Sequence, residues 1–170
     1  NFFRALSKIR QRSSNTVEQG NAFEKLSKIY FENDDIQKQQ YNKVWHYREW
    51  AKKNPGFSKV DIGIDLVGEL RDGSGFAAIQ CKFFNFDHQI SKSDLDTFIS
   101  ASANDIFTRL VLIDTSNADL GLNAKSMIDN LNKTYLRIQK YDLENSRIDW
   151  LEYLENEKIS LLAKKEPRDH

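Results

Sequence analysis

Residues 61–82 read DIGIDLVGELRDGSGFAAIQCK, and their pattern decides the fold. Ile62, Ile64 and Leu66 alternate with Asp61, Asp65 and Val67, RDGSG supplies a tight turn, and FAAIQCK returns. Strand side chains alternate between faces, so the return places Ala77, Ile79, Cys81 and Phe83 on one side and Ala78, Gln80 and Lys82 on the other. Gln80 and Lys82 leave the same side about 7 Å apart along the strand, and Asp65 can face them from the neighbouring strand. A carboxylate, an amide oxygen and an ammonium would then meet at one end of a hairpin.

Outward from this hairpin, helices and strands alternate. Phe2, Leu6 and Ile9 share a helical face. Thr16 opens a second helix with a capping-box spacing to Gln19, and Phe23, Leu26 and Tyr30 give that helix its core stripe. A third helix is predicted near 41–53, YNKVWHYREWAKK, stopped by paired lysines and N-P-G. Its Trp45, Tyr47 and Trp50 read as a core stripe or an interdomain contact, with stacking on bases as the alternative. After the hairpin, SKSD caps a helix marked by Leu95, Phe98 and Ile99. RLVLID reads as a central strand. Ala124, Met127, Ile128 and Leu131 mark another helix, YLRIQKY a strand with Leu136 and Ile138 inward, and SRIDWLEYL a last helix. This order predicts an α/β fold: a central mixed sheet flanked by helices on both faces, with the hairpin inside the sheet.

The chain's 170 residues suit one domain with a real core. No apolar run approaches the ~20 residues that span a bilayer, and NFFRALSKIRQR lacks the apolar region of a secretory signal. A single cysteine, Cys81, leaves no internal disulfide and no thiolate zinc site. These features point to an intracellular protein without a membrane partner. Basic and acidic residues number 25 each, which argues against tight nucleic-acid binding by this chain alone. The absence of an initiator Met suggests a piece of something longer.

The polar hairpin face has a definite chemistry. Mg²⁺ takes hard oxygen ligands and keeps several waters, so one carboxylate and an amide oxygen suit it, and Mn²⁺ could substitute. A charged lysine cannot ligate a cation, but it can orient a water or offset charge growing on a phosphate. Together they form the minimum equipment for metal-assisted phosphodiester hydrolysis.

Asp65, then Gln80-Cys81-Lys82, preceded by Gly20-Asn21-Ala22-Phe23-Glu24, resembles the Mrr-like branch of the PD-(D/E)xK nucleases. That branch carries a G-x-x-F-E helix, a D-x-G-I-D strand and Q-x-K. The likeness spans roughly residues 16 to 150 and is strongest to the N-terminal nuclease of single-chain type ISP restriction–modification enzymes. The resemblance implies a restriction-endonuclease-like sandwich acting on double-stranded DNA in the bacterial cytoplasm. It implies Asp65 as principal metal ligand, Gln80 as a ligand in place of the second acid, and Lys82 as the catalytic lysine. Glu24 would hydrogen-bond a metal-bound water or touch the metal itself. Gly20, one turn earlier, would leave room beside the site. Asp61, about 13 Å along the strand from Asp65, has at most a supporting role unless Gly63 bends the chain. Lys92 is a candidate phosphate contact.

The resemblance also implies an architecture. Residues 1–154 would form the endonuclease domain, and 155–170 a charged linker toward a helicase-like ATPase, with PRDH as its lead-in. ATP would act only through that domain, and a methyltransferase and a target-recognition domain would follow in the same polypeptide. Cys81 reads as a small core residue, and His46 and His88 as ordinary. Two alternatives compete: a nuclease-like docking or DNA-binding module that has lost its chemistry, and a structure-specific repair nuclease, although such enzymes tend to be basic.

Overall fold

Helices enclose both faces of one mixed five-stranded sheet in the computed structural model, which describes residues 1–59 and 63–164. The elements run α1 (Phe2–Arg12), α2 (Thr16–Asn33), β1 (Tyr41–His46), α3 (Tyr47–Lys53), β2 (Leu66–Leu70), β3 (Phe76–Lys82) and α4 (Lys92–Ala101). They continue as β4 (Phe107–Asp114), α5 (Leu122–Asp129), β5 (Thr134–Ile138), α6 (Lys140–Asn145) and α7 (Trp150–Asn156). Strand order follows the sequence, β1-β2-β3-β4-β5; β1–β2 and β2–β3 are antiparallel, β3–β4 and β4–β5 parallel. The α/β sandwich expected from the sequence is therefore present, with the hairpin inside the sheet.

Alternation along the strands feeds two opposed cores. Leu66, Ala77, Ile79, Val111 and Ile113 face α1, α2 and the C-terminal helices, where Phe2, Phe23, Leu26 and Trp150 are buried. Val67, Ala78 and Leu110 face the other way, against Tyr47, Trp50 and Phe98 of α3 and α4, and Leu112 continues this layer toward α5. The buried Trp150 meets Phe2 edge-on at 5.2 Å and donates its indole N–H to the Leu143 carbonyl, which ties α1 to the end of the chain.

Several local expectations are corrected. Residues 41–53 are not one helix: Tyr41–His46 is a strand, paired antiparallel with β2, and only Tyr47–Lys53 is helical. Tyr, Val and Trp favour a pleated, half-buried surface, and the open edge of β2 provides one. The core reading of Tyr47 and Trp50 holds, since both are buried. The cap of α2 is Asn15, which accepts from the Glu18 N–H at 2.9 Å; Thr16 is already helical, and Glu18 reaches back to Ser14. Ser91 caps α4 in a reciprocal capping box with Asp94, as SKSD predicts. Leu136 is 42% exposed because β5 is an edge strand, whereas Ile138 is buried as expected. The segment after α7 folds back: Asp149 N–H donates to the Ser160 carbonyl and Leu162 N–H to that of Arg147. Asp61, Ile62 and the PRDH ending lie outside the described residues.

This topology gathers chemistry at one edge of the sheet. The carboxyl ends of β1, β3 and β4 and the amino end of β2 lie together there. Open α/β sheets commonly bind ligands beyond such strand ends.

Candidate active site

Gly63 starts the site by bending the chain. Its φ of +93° belongs to the region glycine adopts freely, and a Cβ there would meet Thr97 Cγ2 at 2.9 Å and the Phe98 backbone nitrogen at 3.0 Å. β2 consequently begins only at Leu66, and Ile64 packs with Tyr47 and Trp50 while Leu66 packs on the opposite face. This corrects the uninterrupted alternation expected of Ile64 and Leu66.

The bend presents Asp65 to β3. Its backbone is pinned twice: its N–H donates to the Ile79 carbonyl at 2.9 Å, and its carbonyl accepts from Tyr47 N–H at 2.9 Å. Its carboxylate Oδ2 accepts from the Cys81 N–H at 2.7 Å. Cys81 separates Gln80 from Lys82, so the carboxylate is fixed against the strand segment that carries both.

Gln80 is 4% exposed. Its Nε2 donates to the Gly63 carbonyl at 3.3 Å, while Oε1 is buried with no hydrogen-bond partner among the described residues. The amide orientation follows from chemistry: a carbonyl can only accept, so the nitrogen must face Gly63 and the oxygen is left over. An unpartnered buried acceptor costs about 1–3 kcal/mol. Lys82 is half-buried, and no salt bridge among the described residues includes it.

Asp65 and Glu24 line a common cleft of about 330 Å³, with Asn21, His46, Tyr47, Arg48, Lys59 and Ile64 in its wall. Gln80 and Lys82 are not part of that wall. Glu24 Oε2 lies 2.8 Å from His46 Nδ1. Burial, with the charge of Lys28 adding to it, holds the His46 pKa below its ordinary value. A carboxylate can only accept, so His46 donates Nδ1–H to it. His46, read as ordinary in the sequence, is hydrogen-bonded to the helix-borne acid. Reading residues 41–53 as one helix hid this, since only a strand ending at His46 delivers it to the sheet edge.

The remaining candidates divide. Lys92 is exposed on α4, 3.9 Å from Asp96 one turn on, and is not in the cleft wall. A Cβ on Gly20 would meet nothing within 4 Å, so no close approach requires glycine there. Burial, aided by Asp65 and Glu24, pushes the Cys81 thiol pKa well up, which keeps it protonated and suits a packing role. Asp61 lies outside the described residues. Among those described, no three His, Cys, Asp or Glu side chains group as a metal site. The oxygen donors held along this segment of β3 are the Asp65 carboxylate, on the Cys81 N–H, and Gln80 Oε1, without a partner among the described residues; hard oxygens of this kind are what a small hard cation takes.

Comparison with known proteins places the chain in a family. The family model Mrr_cat_2, described as a restriction endonuclease, matches residues 32–160, a stretch that contains His46, Asp65, Gln80 and Lys82. The chain belongs to this restriction endonuclease family. Its structure is also similar to that of an ATP-dependent type ISP restriction-modification enzyme, LlaBIII, solved bound to DNA. The two share 27% identity with a TM-score of 0.75, over 99% of this chain and 10% of that one. The chain thus spans about a tenth of that enzyme's length. A search of curated proteins finds no match.

Proposed function

We propose that this chain is a metal-dependent DNA endonuclease domain that hydrolyses phosphodiester bonds as part of a larger ATP-driven restriction–modification enzyme. The observation that carries the reading is the buried, unpartnered Gln80 Oε1 on the strand segment that holds the Asp65 carboxylate and Lys82. Asp65 and Gln80 would hold Mg²⁺, with Glu24, hydrogen-bonded to His46, as the further acid of the site. Bound there, the ion supplies Lewis acidity toward a phosphoryl oxygen and lowers the pKa of water.

The chain's own groups do the rest. The Cys81 N–H keeps the Asp65 carboxylate at β3. Lys82, in no salt bridge among the described residues, orients the attacking water and offsets charge growing on the phosphate. Water attacks phosphorus, giving up a proton to solvent, and the P–O3′ bond breaks as O3′ takes a proton from solvent, leaving a 5′-phosphate and a 3′-hydroxyl. Residues 1–154 form the nuclease unit, and 155–170 lead toward a helicase-like ATPase in a polypeptide that also holds methyltransferase and target-recognition domains.

Plasmid nicking by the full-length protein tests this. Activity should require Mg²⁺ or Mn²⁺ and vanish in EDTA. Asp65→Ala and Lys82→Ala should each lower the rate by orders of magnitude, since the uncatalysed reaction is among the slowest known. A folded variant of either kind that cuts at the wild-type rate rejects the assignment.

A further inference from the structure

The loop that leaves Lys82 carries two further cations held on aromatic rings. The Arg10 guanidinium lies over Phe83, 4.9 Å from its centroid, and the Lys140 ammonium lies 4.1 Å from the Phe86 centroid and 4.7 Å from that of Phe3. Phe3 and Phe86 are exposed, at 39% and 43%. Neither cation has an acidic partner among the described residues. Burial, with the charge of Arg10 adding to it, holds the Lys140 pKa below its ordinary value, so Arg10 is close enough for its charge to be felt at Lys140. The surface connects to the candidate site, because Phe83 packs edge-on against Phe23 at 5.9 Å, next to Glu24.

We propose that Arg10 and Lys140, seated on Phe83, Phe86 and Phe3, grip the backbone phosphates of duplex DNA beside the scissile bond, which rests on the reading of this chain as a DNA-cleaving domain. The chain's net charge is zero, so attraction for a polyanion must come from a local concentration of unneutralised cations rather than from the whole surface. Cation–π seating fixes both heads in advance and limits the ordering they undergo on binding. A protein partner would need acidic groups to meet the same pair, whereas DNA supplies evenly spaced anions to any register.

The test is binding of a fluorescent duplex oligonucleotide by the 170-residue protein in EDTA, where no cleavage is possible, across a salt series. Arg10→Gln/Lys140→Gln should bind at least tenfold more weakly at low salt, with the slope of log K against log salt reduced by about 2, near 0.9 per lost phosphate contact. Lys52→Gln/Lys53→Gln removes the same charge from the end of α3 and should stay within twofold of wild type. Arg10→Lys/Lys140→Arg should restore binding. As a measure independent of these substitutions, a photo-crosslinking phenylalanine analogue at position 86 should label the bound duplex. Equal effects of the two glutamine pairs, no effect of either, or no crosslink overturns the proposal. So does wild-type DNA binding by the Arg10→Gln/Lys140→Gln variant when it has instead lost its hold on another part of the full-length polypeptide. Asp65→Ala enters the same assay, and its retained binding separates failure of this surface from failure of the nuclease reading.

Discussion

Gln80 and Asp114 are buried polar side chains at the same end of the adjacent parallel strands β3 and β4, and they are treated in opposite ways. Asp114 is fully buried and saturated. Arg137 Nε donates to Oδ2 at 3.0 Å and Nη2 to Oδ1 at 3.1 Å, the Ser116 N–H adds a third bond, and Arg137 Nη1 continues to the Ala118 carbonyl. Gln80 Oε1, at similar depth, has no partner among the described residues. A closed network fixes the chain leaving β4, whereas an open oxygen stores a free-energy cost that the proposed cation would relieve. The two are coupled through Lys82, the register neighbour of Asp114. Arg137 occupies both oxygens of that acid, and no salt bridge among the described residues includes Lys82.

The sharpest way to break this comparison is to replace each residue by one that cannot do its job. Gln80→Met keeps the volume and removes the amide. It should lower Mg²⁺-dependent cleavage about a hundredfold, equivalent to about 2.7 kcal/mol of transition-state stabilisation. Stability should change by no more than about 1 kcal/mol, because the lost bond to Gly63 is offset by removal of an unpartnered oxygen. Urea unfolding and plasmid nicking on the same preparation separate the two effects. A variant that unfolds readily but still cuts at the wild-type rate would assign Gln80 to structure alone.

Asp114→Ala should do the reverse. Removing one member of a buried, bidentate pair strands the Arg137 guanidinium and should cost about 3 kcal/mol, a Tm drop on the order of 9 °C. Calorimetry reads this directly. An unchanged Tm would mean that the network does not hold the β4 exit.

Much of this contrast was legible in the sequence, and its gaps have physical causes. The Gln80–Lys82 spacing, the RDGSG turn, the Ser91 cap and the central position of β4 all follow from local periodicity and turn chemistry, which depend on neighbours in the chain. The strand at Tyr41–His46 was missed because an aromatic, mixed-polarity segment suits either period, and the choice was made by β2, twenty residues away. The Glu24–His46 pair depended on that strand and was lost with it. Asp114–Arg137 and Arg10–Phe83 join residues far apart in sequence, which no spacing rule reaches. Asp114 also closes an apolar strand, so it reads as the end of a run rather than as a buried charge.

A second acid completes the comparison from the solvent side. Asp35 follows α2 and meets Arg147 through two bonds, Nε to Oδ2 at 2.6 Å and Nη2 to Oδ1 at 2.8 Å. The pairing geometry matches that of Asp114–Arg137, yet the pKa shifts run in opposite directions. The Arg147 hydrogen bonds draw the Asp35 carboxyl down to about 2, whereas burial pushes that of Asp114 up despite Arg137. Depth decides, because desolvation penalises the buried carboxylate more than its partner relieves it. The sign of the pH effect follows. A depressed folded pKa contributes stability that is full above the unfolded carboxyl value near 3.8 and is lost as pH falls through about 2. Asp35→Asn should therefore be slightly less stable than wild type at pH 6, and the difference should shrink to nothing as pH falls from about 4 to about 2. Because Asp35 is exposed to solvent screening, this is the smallest of the expected effects. Chemical unfolding followed by circular dichroism at pH 6, 4, 3 and 2 measures it, and a gap that stays constant over that range would show that Arg147 gains nothing from the charge on Asp35.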